Sequence, residues 1–251
     1  MANFVEKIVK AKLAFLFAFC ATIAMSPLSV LAQSQSDASK KNDSEWISYR
    51  DAYKAMLWFE KYGKSKNLIQ NRFQIVVKEK SINFENVRLS LNSQNSVMNL
   101  SLDALGQTQL PLLKAAYIEN AELNISPRLG QFTYRSRVSL QLRADGHYEM
   151  SDLRAACEQS LQFLAYMDPN SVSGKKCVGV KFAFDKRDSL ATVELRTNGQ
   201  HQQNLSVQDN TPIWPDSGIQ LRVANLRFDA NIEKVQVVTR GTPLIAIGVI
   251  E

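Results

Sequence analysis

The chemistry open to this chain is limited first by its histidines, His147 and His201, the only two in 251 residues. Each follows a turn signal, Asp145-Gly146 and Asn198-Gly199, which puts it at the edge of a turn. A nucleophilic triad would have to combine His201 with Ser206 and Asp209. Residues on one strand point to alternate faces, so these three do not converge. The sequence has no G-x-S-x-G elbow, no H-E-x-x-H helix and no glycine-rich phosphate loop. Asp185, Asp188, Asp209 and Asn210 offer oxygens to a calcium ion but lack the spacing of a calcium loop, and turns select the same residues. Glu149 and Asp152 are the nearest thing to an acid–base pair, yet a helix start explains Asp152 on its own. The expectation is therefore no catalytic, metal-binding or cofactor-binding residue.

Cysteine and aromatic residues say more. Cys20 lies in an apolar N-terminal run, leaving Cys157 and Cys177 as an even pair. In an exported chain such a pair is expected to be oxidised to a disulfide closing a loop of about twenty residues, contributing about 3 kcal/mol. Buried thiols and a redox pair are the alternatives, the latter without C-x-x-C spacing. Trp46, Tyr49, Tyr53, Trp58, Phe59 and Tyr62 crowd one short segment, with Lys54, Lys61 and Lys64 beside them. Tyr49, Tyr53 and Leu57 are accounted for by core packing. Trp58, Phe59 and Tyr62 lie on another arc and, with Lys61, form the candidate binding surface. Core packing of both arcs is the competing reading.

The elements that must position these residues begin with an export signal. Lys7, Lys10 and Lys12 precede the apolar run Leu13 to Met25. Pro27 breaks it, and Val30-Leu31-Ala32 suits cleavage after Ala32. The run is shorter than the roughly 20 apolar residues of a spanning helix, and no later segment is long enough either. An uncleaved anchor is the alternative. Residues 1–32 carry three Lys and one Glu, so their removal takes 30 basic and 24 acidic residues to 27 and 23, a net charge of +4. These charges alternate along the chain and give no nucleic-acid signal. The expected address is periplasmic or secreted, without a stable membrane span after cleavage.

Residues 33–45 read as a polar, flexible linker. Residues 46–62 read as a helix that Ser48 caps, with Asp51 three residues on and Gly63 as its stop. From Phe73 the hydrophobic period shifts to two. Short strands recur every ten residues or so, including Gln107 to Leu113, Tyr117 to Ile125 and Phe132 to Leu142. Ser151 to Met167 interrupts them with a helical stripe of Leu153, Ala156, Cys157, Leu161 and Leu164, stopped by Asp168-Pro169-Asn170. Strands then resume: Val178 to Phe184, a return strand at Leu190 to Leu195, and a tight hairpin at Asn198-Gly199. The fold expected is mostly β with two helices (α+β), made of antiparallel β-sandwich halves each preceded by a helix. The halves span 46–145 and 146–251, or form one continuous domain.

Trp46-Ile47-Ser48-Tyr49-Arg50-Asp51-Ala52-Tyr53, Leu102-Asp103-Ala104-Leu105-Gly106-Gln107 running into Leu110-Pro111-Leu112, and Gly174-Lys175-Lys176-Cys177-Val178-Gly179-Val180-Lys181-Phe182 together resemble a family of exported bacterial proteins defined only as a domain of unknown function. The likeness extends over about residues 46 to 251. The Asp-x-x-Gly turn before Leu-Pro-Leu is also similar to the end strands of transthyretin-like sandwiches. These resemblances imply export, a β-rich fold and the cysteine pair, with no activity or residue roles. The functional expectation is an envelope protein with a non-enzymatic binding or scaffolding role. Its partner would be an envelope protein or polymer. A carboxylate-based envelope hydrolase and an accessory subunit of an envelope complex are the alternatives.

Overall fold

The computed structural model describes residues 45–77, 82–228 and 235–251. The expected signal peptide and nearly all of the expected linker lie outside these residues. The chain opens with β1 (Glu45–Ser48), α1 (Tyr49–Lys61), β2 (Ile69–Val77), β3 (Arg88–Asn92), β4 (Val97–Leu100) and β5 (Gln107–Thr108). It continues with α2 (Lys114–Ile118), β6 (Glu122–Ser126), β7 (Phe132–Leu140), β8 (His147–Glu149) and α3 (Met150–Met167). The remaining strands are β9 (Cys177–Phe184), β10 (Thr192–Thr197), β11 (Gln200–Asn204), β12 (Val207–Thr211), β13 (Leu221–Arg227), β14 (Val235–Arg240) and β15 (Ile245–Ile250). The fold is α+β and mostly β, with every strand pair antiparallel.

Four sheets form, with orders β1-β6-β3-β4, β5-β2-β7, β11-β10-β14-β8 and β12-β13-β9-β15. The first two enclose one core with α1. Phe73, Ile75 and Val77 of β2 meet Ile47, Leu89, Leu91, Leu123 and Ile125 there. A second core joins α3 to the last two sheets through Met150, Leu153, Phe163, Val180, Phe182, Phe184, Val193 and Val237. Phe59, Tyr62, Ile69 and Leu140, all N-terminal to residue 146, belong to that second core as well.

Each long helix is itself preceded by a short strand. β1 leads into α1 and β8 into α3, and both strands lie at the edge of their sheets. The first helix therefore starts at Tyr49, later than expected, because Trp46 to Ser48 pair with β6. Ser48 is its cap, as its spacing to Asp51 suggests: Ser48 Oγ accepts from the Asp51 N–H at 3.3 Å. The stop differs. Tyr62 turns the chain extended at the C-cap, and Gly63 is not in the left-handed region. A third helix, α2, occupies Lys114–Ile118, where strands were expected on both sides. The Tyr49 hydroxyl donates to the Pro111 carbonyl (2.6 Å) and accepts from the Leu113 N–H (2.8 Å), so backbone needed for a strand ladder bonds a side chain instead.

Leu190 to Leu195 is not a return strand. β9 pairs with β13 and β15, whereas β10 pairs with β11 and β14, so the Asp185 turn passes the chain between sheets. Two facing apolar strands with a short link look the same in sequence whether they pair or stack. The Asn198-Gly199 hairpin does form, with φ of 52° and 76°, between β10 and β11.

Cys157 and Cys177 are disulfide-bonded with their Cα atoms 5.9 Å apart, tying α3 to the start of β9. β15 runs past this bridge. A Cβ on Gly248 would stand 2.8 Å from Cys157 Sγ, which explains glycine there. Among the described residues no helix is long and apolar enough to cross a membrane.

Candidate functional site

The expected surface of Trp58, Phe59, Tyr62 and Lys61 is divided by the fold. Phe59 and Tyr62 are core residues, 8% and 4% exposed, and present no face to solvent. Their rings pack edge-on against Phe163 of α3, at centroid separations of 5.2 Å and 5.3 Å. The reason is α3 itself, which covers the arc of α1 that the sequence leaves without a partner. Trp58 and Lys61 stay outside, with Trp58 48% exposed.

Trp58 is not isolated. Its ring meets Tyr166 of α3 edge-to-face at 5.9 Å, and Tyr166 lies 5.2 Å from Tyr62. Leu164 and Met167, in the same last turn of α3, are exposed too. At about 100° per residue, Met167 and Leu164 fall within the arc of α3 that carries buried Met150, Leu153, Ala156, Cys157, Ser160 and Phe163. The apolar stripe of α3 thus runs into solvent at Leu164 and Met167, while Tyr166, on another arc of the helix, is the residue that meets Trp58. Lys54 and Lys61 stand one turn before and after Trp58 on the same helix face.

The base of this face is held firmly. Gln159 Nε2 donates to Ser65 Oγ (3.1 Å) and Asn67 Oδ1 (2.9 Å), and its Oε1 accepts from the Leu68 N–H (3.0 Å). Lys66 Nζ folds back onto the Phe59 and Glu60 carbonyls, closing the C-terminus of α1. Beneath the aromatic rings the Tyr62 hydroxyl is buried without a hydrogen-bond partner among the described residues. Burial pushes its phenol pKa up.

No family model matches the chain. Neither does any curated protein or solved structure.

The structure also places five of the chemical candidates of the sequence. His201 Nε2 bonds Asn204 Oδ1 at 3.0 Å on β11. Glu149 accepts from Gln236 Nε2 (2.8 Å), and Asp152 sits in the first turn of α3. The cleft there holds about 150 Å³, and Asp152 is the one carboxylate lining it. Asp185 and Asp188 bond the N–H groups of Arg187 and Leu190 two residues on, as turn residues do. The Arg187 guanidinium holds the Asp185 carboxyl below its ordinary value. Among the described residues no group of three or more His, Cys, Asp or Glu is placed to hold a metal ion.

Sequence reasoning missed a second region, a groove of about 640 Å³ lined by Trp46, Ile47, Ser48, Asp51 and the consecutive residues Phe132 to Arg135. Consecutive strand residues line one groove only when it meets the strand edge. The Tyr49 N–H bonds the Ala121 carbonyl (3.1 Å), so odd-numbered residues of β1 bond towards β6 and Trp46 turns its backbone groups outward. The Gln141 N–H bonds the Leu68 carbonyl (2.9 Å), so Phe132 and Tyr134 likewise turn away from β2. Arg135 Nη1 donates to the outward Tyr134 carbonyl at 3.0 Å.

Proposed function

We propose that this is an exported protein of the cell envelope, periplasmic or secreted, with a binding or scaffolding role and no enzymatic one. It engages its partner through the outer face of the α1–α3 junction. The observation that carries this reading is the contact of two exposed aromatic side chains from two helices, Trp58 and Tyr166, with Lys54 and Lys61 on the Trp58 face of α1 and exposed Met167 next to Tyr166 in the chain. Contiguous exposed apolar surface rimmed by polar residues marks interaction sites. The Cys157–Cys177 bridge supports an oxidising compartment, and the three-part layout of residues 1–32 supports export.

The test is attachment to the envelope. Trp58→Ala and Tyr166→Ala should release the chain from the envelope fraction while changing folding stability by less than about 1 kcal/mol. Variants that remain attached, or that lose attachment only by unfolding, would contradict the reading.

A second reading, an accessory subunit that accepts a partner's strand, is favoured by the outward edges at Trp46, Phe132 and Tyr134. Trp46→Pro removes one outward N–H without touching the β6 ladder. This reading expects that variant to lose a co-purifying subunit in native mass spectrometry, and Trp58→Ala to retain it.

A further inference from the structure

Resting on the α1–α3 face as the binding surface, we propose that its occupant is an anionic lipid bilayer, met by Trp58, Tyr166 and Met167 with Lys54 and Lys61 at the headgroup level. The face has the composition of an interfacial contact. Two amphipathic aromatic rings accompany the Met167 thioether, and long cations flank Trp58. Trp and Tyr concentrate where an apolar interior meets polar headgroups.

Geometry separates this occupant from a glycan. Trp58 and Tyr166 meet edge-to-face at an interplanar angle of 68°, so together they form a wedge and not a flat stacking platform. Met167, the last residue of α3, is also exposed. Charge complementarity sets the sign of the lipid. Lys54, Lys61 and Lys64 are exposed along the same stretch of α1 and its following turn. The acidic groups nearest in sequence are occupied or turned aside. Asp51 lies 4.0 Å from Lys54 in an ion pair, and Asp168 Oδ1 accepts from the Asn170 N–H (3.1 Å). Glu60, two residues after Trp58, projects from the far side of α1. Each lysine near an anionic surface strengthens binding about fivefold, so three amount to about a hundredfold.

The experiment measures binding of the oxidised chain without the apolar leader of residues 1–32 to phosphatidylglycerol–phosphatidylcholine vesicles against pure phosphatidylcholine vesicles, by co-sedimentation and tryptophan fluorescence. The chain should bind the anionic vesicles about a hundredfold more tightly, with a blue shift of the emission. Trp58→Phe should remove most of that shift and Trp46→Ala should leave it. Lys54→Gln with Lys61→Gln should lower affinity about twentyfold, and Met167→Glu, at an exposed helix end, should abolish binding with folding intact. Equal binding to both vesicle types, or a shift that survives Trp58→Phe, would overturn the proposal. Failure to bind any vesicle, with Trp58→Ala still releasing the chain from the envelope, would overturn the lipid assignment and leave the binding face standing.

Discussion

The units β1–α1–β2 and β8–α3–β9 have the same plan, and only the second adds a covalent fastening. In each, a short edge strand leads into an amphipathic helix, and the helix delivers the chain to an inner strand of another sheet. α1 is fastened by hydrogen bonds. Ser48 caps its start, Arg50 Nε donates to the Tyr117 carbonyl (2.7 Å), and the Tyr49 hydroxyl joins Pro111 to Leu113. α3 has no side-chain cap at Glu149; beside the Gln159 hydrogen bonds to Ser65, Asn67 and Leu68 it has a covalent fastening, the Cys157–Cys177 bridge. The difference teaches that one arrangement can be secured by polar chemistry alone or with a covalent link added. The two fastenings should respond to different perturbations.

The largest break in that comparison is removal of the bridge. Cys157→Ser with Cys177→Ser should cost about 3 kcal/mol, read from denaturant unfolding, and hydrogen exchange should rise first in α3. Tyr49→Phe leaves the Pro111 carbonyl and Leu113 N–H without their partner and should cost about 1–3 kcal/mol, with increased exchange in α1 and α2. A difference between the two helix starts comes next. Ser48→Ala should cost about 1 kcal/mol, and Glu149→Ala at the matching place of α3 no more than about 0.5 kcal/mol; equal costs would erase the distinction.

The smallest effect is alkaline. Burial raises the Tyr49 phenol above its ordinary value of 10.0. The folded state therefore holds that proton more tightly than the unfolded chain. The stabilisation is complete below the unfolded pKa and is lost as pH rises through the folded one. Stability should fall more steeply above about pH 10 in the parent than in Tyr49→Phe. Tyr62, Tyr134 and Tyr148 are also raised by burial, but they contribute to both proteins alike.

The same contrast explains what was legible in the sequence. Ser48 three residues before Asp51, Asn198 before Gly199, and two cysteines in a chain with an export layout each encode a local or pairwise rule, and all three features are present. The stop of α3 at Asp168-Pro169-Asn170 was readable for the same reason. The split of β9 and β10 between sheets was not, because alternation reports a buried face and not the strand beside it. Burial of Phe59 and Tyr62 depended on Phe163, about a hundred residues later. Tyr166 and Met167 became part of the candidate face only when α3 was seen to outrun its core. A longer apolar stripe than the core requires was the signal available, and Leu164 already carried it.

The most direct test of the proposed binding face is hydrogen–deuterium exchange of the oxidised chain, free and mixed with anionic membranes. Protection confined to residues 54–64 and 161–168 is the result expected. Protection at 45–48 and 132–135 instead, or no difference between the two states, would contradict it.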